Sequence, residues 1–297
     1  MNGAIILDKP QNITSQGAVN RIRKIFGTKK VGHTGTLDPM ATGVLTVLVG
    51  NAVKASELLL SGEKEYVATL KLGIVTDTQD VWGKEISRYE GPLPSYEKLC
   101  ETLENFKGEI FQKPPMYSAL KRNGQKLYEL ARNGIDVEVE ARPIKIYSLR
   151  AEKTEAKDEF EIYVKCSKGT YIRTLCNDIG NSLGCGGTMK TLRRIANGDF
   201  DIQNSVSIEE LEKSENPQKY LIPTEKLFEK YPFVKLSPFF SRLAKCGNEI
   251  YIKKIGIDAE VGEIFRTYDS EGNFFALTQC KEFEQGKGLA NLRRFAV

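Results

Sequence analysis

Asp38 is the residue in this sequence best placed to do chemistry. It lies in the string GHTGTLDP (32–39), where glycines and small side chains leave room for a substrate to come close. An aspartate before proline often does no more than shape a turn. Held rigidly on a tight loop, the same carboxylate can act as a nucleophile or a general base. Lys9 before Pro10, Tyr66 within a strand-like run and Arg173 within a helical run carry reactive or charged groups in defined places. Taken singly, each has an ordinary role as strand end, core aromatic or solvated surface charge. His33 is the sole histidine, which excludes zinc sites built on two histidines and any H-x-x-x-H motif. No G-x-x-x-x-G-K-[ST] occurs, and GCGG (184–187) fails G-x-G-x-x-G because Met189 stands where the last glycine belongs.

The elements that must position these groups are readable from periodicity. Ala4–Leu7 predicts a short strand. Thr14 or Ser15 caps a helix whose Ala18, Val19, Ile22, Ile25 and Phe26 recur at helical spacing until Gly27 stops it. GHTGTLDP reads as a loop, followed by a buried strand at Val44–Val49 and a helix through Leu60. Tyr66 to Val75 alternates as a strand, and Tyr96, Leu99, Leu103 and Phe106 mark a helix after Ser95. Phe160, Ile162, Val164 and Cys166 alternate with polar residues, as in a half-buried strand. Thr170 then caps a helix with Ile172, Leu175, Ile179 and Leu183 inward and Arg173 off that stripe. Ser207 with Glu210 forms a capping box. From about residue 233 the texture changes to short strands with turn signals, predicting a small all-β domain. Strands and helices intermixed before it predict an α+β core with a mixed sheet.

Composition narrows the class. In 297 residues, 28% charged and 40% hydrophobic side chains describe a soluble globular chain, and no apolar run reaches membrane-spanning length. MNGAIILDKP lacks the basic segment and cleavage site of a secretory signal. The six cysteines lie far apart without a C-x-x-C, so they read as reduced thiols and the location as cytoplasmic. The net charge of +4 is uneven. Residues 1–60 carry seven basic against three acidic groups, 61–110 six against ten, and 111–150 eight against four. Two basic blocks around an acidic one suit a polyanion-binding face. Within 112–142, Lys113, Lys121, Arg122, Lys126, Arg132 and Arg142 interleave with Tyr117 and Tyr128, the most RNA-like stretch of the chain.

Longer strings point to one family. ILDKPQNITS (6–15), VGHTGTLDPMATGVL (31–45), KEYVATLKLGIVTDTQD (64–80), PPMYSALKRNGQKLYELARNGI (114–135), ARPIKIY (141–147), CSKGTYIRTLCNDIGNSLGCGG (166–187) and LRR (192–194) appear in order. Residues 1–200 closely resemble the TruB family of tRNA pseudouridine synthases. The resemblance implies isomerisation of uridine 55 in the T loop of tRNA to pseudouridine, with no cofactor and no metal. It implies a catalytic domain over 1–232, with a mixed sheet flanked by helices and an RNA-gripping insertion, here 112–142. A small β-rich, PUA-like RNA-binding domain then fits 233–297. The family's catalytic aspartate falls on Asp38, its active-site tyrosine on Tyr66 and its aspartate-pairing arginine on Arg173. His33 matches the histidine that fills the space left by an extruded nucleotide. Lys9, Asp80, Tyr171 and Leu192 match residues near the pocket or the RNA, and Lys121, Arg132, Arg142 and Lys168 are further candidate RNA contacts. Three departures stand out: Gly187-Thr188, Trp82 where small residues are commoner, and LRRI in place of LRRT.

The expected chemistry explains the residue types. Breaking N1–C1′, rotating the uracil and joining C5 to C1′ needs no redox agent or activated donor. It needs a carboxylate beside the ribose and a dry pocket. Desolvation alone drives such a carboxylate toward its neutral form, and an adjacent arginine opposes this. The expected partner is tRNA through its T stem-loop, with no membrane, no obligatory protein partner and a monomeric chain. Two other readings are a tRNA-folding helper with secondary catalysis and a guide-RNA-dependent relative acting on ribosomal RNA. A third, an unrelated metal-free hydrolase using Asp38, would release free uracil.

Overall fold

The computed structural model describes residues 2–60, 62–122, 124–135 and 137–295. Four strands and a helix from the first quarter of the chain build the part that matters most for the site. They are β1 (Gly3–Lys9), α1 (Ser15–Ile25), β2 (Val31–Thr34), β3 (Thr42–Val49) and β4 (Lys64–Leu72). They join an 11-stranded mixed sheet. Its main path runs Val206–Ser207, β1, β3, Gly187–Asn197, β4, Glu159–Cys166, Arg142–Lys153 and Gly108–Gln112, with β2 paired to β3 off this path. β1 runs parallel to Val206–Ser207, and β3 parallel to Gly187–Asn197; the other pairings on the path are antiparallel.

Burial follows the sequence pattern. β3 is apolar almost throughout and buried at seven consecutive positions, as a strand covered on both faces must be. β4 and Glu159–Cys166 alternate, and each buries one face. α1 starts at Thr14, whose side chain accepts from the Gly17 N–H, and it buries Ala18, Val19 and Ile22. The helix Ile172–Ser182 lies against the strand Gly187–Asn197 at very short range. A Cβ on Gly180 would stand 2.2 Å from the Gly187 nitrogen, so only glycine permits that approach.

Several expectations are revised. Val31–Thr34 pairs with Val49–Thr46, so the GHTGTLDP segment opens as β2 and becomes a loop only from Gly35. The backbone of this short segment finds its partners on β3, which outweighs the glycine punctuation. Tyr171, not Thr170, occupies the cap of the Ile172 helix; the Thr170 hydroxyl donates instead to the Ser167 carbonyl. Arg173 is buried although it lies off the apolar stripe, because loops cover that face of the helix too.

Gln112 and Arg142 face one another across an antiparallel pair, so the chain between them leaves the sheet and returns to the same rung. That excursion holds a hairpin (Lys121–Arg122 with Gln125–Lys126) and the helix Leu127–Arg132. The last 65 residues contribute a separate 5-stranded sheet, in the order Phe233–Lys235, Ile264–Tyr268, Phe274–Phe283, Gly286–Arg294, Ile250–Tyr251. It has its own core around Val234, Ile250, Phe265 and Phe275. This region is not all-β, since it also contains the helices Pro238–Cys246 and Ile252–Ile255. Ser237-Pro238 starts the first, and Gly247 and Gly256 end the two in left-handed conformation, a start-and-stop code that turn signals concealed. A third cluster, including Ala4, Leu48, Phe228, Leu277 and Phe295, joins the two sheets. All six thiols are free, and no described helix is long and apolar enough to cross a membrane.

Candidate active site

The site is built across β3, Gly187–Asn197 and β4, three neighbours in the sheet. Asp38 lies on the loop entering β3, and Tyr66 lies on β4. Arg194, on the strand between, stands opposite Gly43 on one side and Tyr66 on the other. Gly43 has φ +100°, and a Cβ there would meet the Arg194 carbonyl oxygen at 2.2 Å. Glycine is therefore obligatory where the loop crosses that strand.

Arg173, in the first turn of its helix, reaches this loop. Its Nε lies 3.0 Å from Asp38 Oδ2, and the arginine side chain is 6% exposed against 38% for the aspartate. The two terminal nitrogens go elsewhere. Nη1 donates to the Thr78 carbonyl at 2.9 Å and lies 3.6 Å from Asp80 Oδ2, while Nη2 donates to the Tyr117 carbonyl at 2.8 Å. The structure thus brings Asp38 and Arg173 together, but through one nitrogen and beside solvent. Among the described residues, none closes Asp38 off from solvent.

The loop that carries Asp38 is tied down at both ends. Ser15 Oγ donates to the Leu37 carbonyl and accepts from the Leu37 N–H, at 3.0 and 2.8 Å. Arg194 donates to the Val44 and Gly35 carbonyls at 2.7 and 3.0 Å. Asn197 donates to the hydroxyls of Thr34 and Thr46. Lys9 is fully buried, and its ammonium donates to the carbonyls of Pro10, Ile13 and Pro39. Expected near the pocket or the RNA, Lys9 lies on the pocket side, where it braces the loop. Such fixing holds a catalytic group in place before substrate arrives. Two non-glycine residues with positive φ flank the same region among those described, Asn12 (65°) and Gln79 (64°). The Asn12 N–H donates to the Pro39 carbonyl, and Gln79 separates Thr78 from Asp80. Backbone strain of this kind, about 1–3 kcal/mol each, gathers at functional sites.

The electrostatics are those of a buried basic floor under acidic groups. Arg194 is 1% exposed and Lys64 7%, with Lys64 donating to the Gly62 carbonyl at 2.9 Å. Burial pushes the ammonium groups of Lys9 and Lys64 down to about 8, Asp38 opposing the shift at Lys9. Burial raises the Tyr66 phenol, which is therefore neutral at pH 7. It also raises the Asp80 carboxyl, against the Thr78 hydroxyl and the Arg173 charge. His33, half-buried on β2, is lowered by burial and by Arg194, so it is neutral at pH 7, and its Nδ1 is buried without a partner. Lys64 and Arg194 had not been singled out. Their signal was parity: Lys64 shares a strand face with Tyr66, and Arg194 with Leu192, by the period of two.

The remaining candidates fall into two groups. Leu192 is 8% exposed on the strand Gly187–Asn197, opposite Ala68. Tyr171 is half-buried, with its backbone bonded twice to the Gln112 side chain, and burial raises its phenol. Arg132, Arg142 and Lys168 are exposed; Lys168 stands near enough to Lys64 to help lower its ammonium, and Arg132 lies over the Tyr128 ring at 5.4 Å. The Lys121 side chain lies outside the described residues. Among the described residues, no cluster of His, Cys, Asp and Glu could hold a metal ion.

Comparison with known proteins decides the family. Residues 23–172 match the N-terminal domain of TruB family pseudouridylate synthases, and residues 173–229 match the C-terminal domain of tRNA pseudouridylate synthase B. The chain belongs to the TruB family. It is 47% identical to tRNA pseudouridine synthase B of Clostridium tetani over 279 residues, 94% of this chain and 96% of that protein. Identity to the Aquifex aeolicus protein of the same name is 42% over 254 residues, 85% of this chain and 88% of that protein. Among solved structures, one chain of an H/ACA ribonucleoprotein bound to a substrate RNA containing 2′-deoxyuridine superposes with a TM-score of 0.70. Its identity is 26%, over 99% of this chain and 85% of that one. A chain of a Cbf5–Nop10–Gar1 complex gives 0.70 at 28%, over 99% and 84%. A TruB-family chain is a pseudouridine synthase, an isomerase acting on RNA. Its α+β architecture agrees with these neighbours.

Proposed function

We propose that this chain converts uridine 55 in the T loop of tRNA to pseudouridine, with Asp38 as the catalytic carboxylate. The observation that carries the reading is the 3.0 Å contact between Arg173 and Asp38 on a loop braced by Lys9, Ser15 and Arg194. The relatives at 40–47% identity are named tRNA pseudouridine synthase B, whereas the H/ACA chains are only 26–28% identical. That difference favours tRNA over a guided ribosomal substrate.

The target uridine is stacked in a folded loop and must be flipped out, at a cost of a few kcal/mol. A neutral His33 suits the vacated gap, because stacking there buries no charge. The exposed Arg132, Arg142 and Lys168, with Lys121, supply phosphate contacts from the excursion 112–142 and its neighbourhood. The β-rich region from 233 acts as a PUA-like second RNA contact. RNA closing over the cleft removes water from around Asp38, and Arg173 then keeps the desolvated carboxylate charged.

Asp38 starts the reaction, by attack on C1′ or by removal of the C2′ proton. In both routes the N1–C1′ bond breaks, the uracil rotates in place and C5 bonds to C1′, with the Asp38–C1′ bond breaking in the first route and the C2′ proton returning in the second; the C5 proton then leaves while N1 gains one. Tyr66 and Leu192 hold the base, and the neutral Tyr66 hydroxyl assists the closing proton transfer. No cofactor takes part. The enzyme works as a cytoplasmic monomer.

The test is to incubate the purified chain with unmodified tRNA and map pseudouridine at single-nucleotide resolution. One product site in the T loop is expected. Asp38→Asn should fold and bind tRNA yet turn over more than about 10³-fold more slowly. Free uracil as product, or turnover by Asp38→Asn within about 10²-fold of the parent, would overturn the reading.

A further inference from the structure

We infer that Trp82 is a stacking platform for a nucleobase of the substrate RNA at the rim of the catalytic cleft, an inference that rests on the RNA-modifying reading above. Trp82 is the only tryptophan of the chain, and it is 54% exposed. Its indole makes no hydrogen bond and no ring contact among the described residues.

The backbone beneath the indole is firmly held. The Trp82 N–H donates to Asp80 Oδ1 at 3.0 Å, the Val81 N–H to the Met189 carbonyl at 3.0 Å, and the Gly83 N–H to the Asp80 carbonyl at 3.2 Å. The strands Ile74–Thr76 and Glu85–Arg88 close the hairpin around it. The other oxygen of Asp80 lies 3.6 Å from Arg173, whose Nε is 3.0 Å from Asp38. Trp82 is thus linked to the catalytic carboxylate by three consecutive contacts.

The chemistry selects the occupant. The hairpin around Trp82 carries Asp77, Asp80 and Glu85 against Lys84 and Arg88, so it offers phosphates no basic cluster and presents RNA chiefly with a ring face. Stacking requires no charge on the protein and accepts any base. A ring on an already ordered backbone loses little further entropy when a base lands on it. Val81 and Ile86, 38% and 65% exposed, extend the apolar rim of the same hairpin.

A single tryptophan makes the test direct. In the Asp38→Asn protein, titration with a synthetic unmodified T stem-loop hairpin should quench the fluorescence, saturating at the Kd found by filter binding. In that background, Trp82→Ala should weaken binding roughly 5- to 100-fold, without changing the slope of log Kd against log salt. Trp82→Phe should restore most of the affinity. Unchanged emission at saturating RNA, or parental affinity in Trp82→Ala, would overturn the platform. So would a shallower salt slope, which would mean that the lost contact was to phosphate. Self-association abolished by Trp82→Ala, with RNA affinity intact, would also overturn it by assigning the ring to a second copy. Each of these failures would leave pseudouridine formation by the unmutated chain standing, because mapping reads that independently.

Discussion

Two buried aspartates show how differently the two regions of this molecule treat the same side chain. Asp80, near the Asp38 loop, and Asp269, in a turn of the C-terminal sheet, are 7% and 6% exposed. Both accept backbone N–H groups within a turn: Asp80 from Trp82, and Asp269 from Glu271 and Asn273. Yet the carboxyl of Asp269 is held down to about 2, first by the Lys245 ammonium at 2.8 Å, whereas that of Asp80 is raised, first by burial. The difference lies in the cation. Lys245 serves one carboxylate. Arg173 is divided among Asp38, Asp80 and two backbone carbonyls, and Asp38 itself pushes Asp80 upward. A dedicated cation makes a structural pair; a shared one leaves two carboxylates competing for it, an arrangement that functional sites favour.

The largest effect that would test this contrast is on Arg173. Arg173→Lys should lower the single-turnover rate by more than about 10²-fold at saturating RNA. A lysine ammonium cannot serve Asp38 while also holding the carbonyls of Thr78 and Tyr117. A near-parental rate would show that sharing is incidental. Next come the aspartates themselves. Asp269→Asn should cost about 1–3 kcal/mol in urea unfolding at pH 7 and leave turnover near parental. Asp80→Asn should cost less stability and more turnover, because it relieves a buried charge and disturbs Arg173. Equal losses of stability would erase the distinction. The acid limb sharpens it. The Asp269 carboxyl lies below its unfolded value of 3.8, so its contribution is present above that pH and is lost as pH falls toward about 2. The stability gap between the parent and Asp269→Asn should close over that window.

The last effect concerns the basic floor. Lys9 and Lys64 have folded values of about 8 against 10.5 unfolded. Between those values the unfolded chain binds more protons, so these two groups make stability rise with pH. Replacing both with Met should remove that rise, read as denaturant midpoints at pH 8 and pH 10. An unchanged alkaline slope would mean that neither ammonium resists its burial.

Part of this molecule is legible without coordinates, because part of it is local. The α1 stripe, the apolar run of β3 and the alternation of Glu159–Cys166 are periodicities that burial follows directly. The start of the C-terminal sheet at Phe233 followed from turn spacing, although the helix after Ser237 did not. The order of motifs likewise named the family, because Asp38, Tyr66 and Arg173 each sit in a long matching string.

What sequence alone determined, then, is the family and the local periodicity of many of its strands and helices. The tertiary structure decided the environments. Only strand order sets Gly187–Asn197 between β3 and β4, and this places Arg194 beside Tyr66 from more than a hundred residues away. Only packing makes Lys9 a buried brace and divides one guanidinium between two carboxylates. The physical reason is range. Periodicity is written within a few residues, whereas desolvation and charge sharing depend on segments that meet only when the sheet closes.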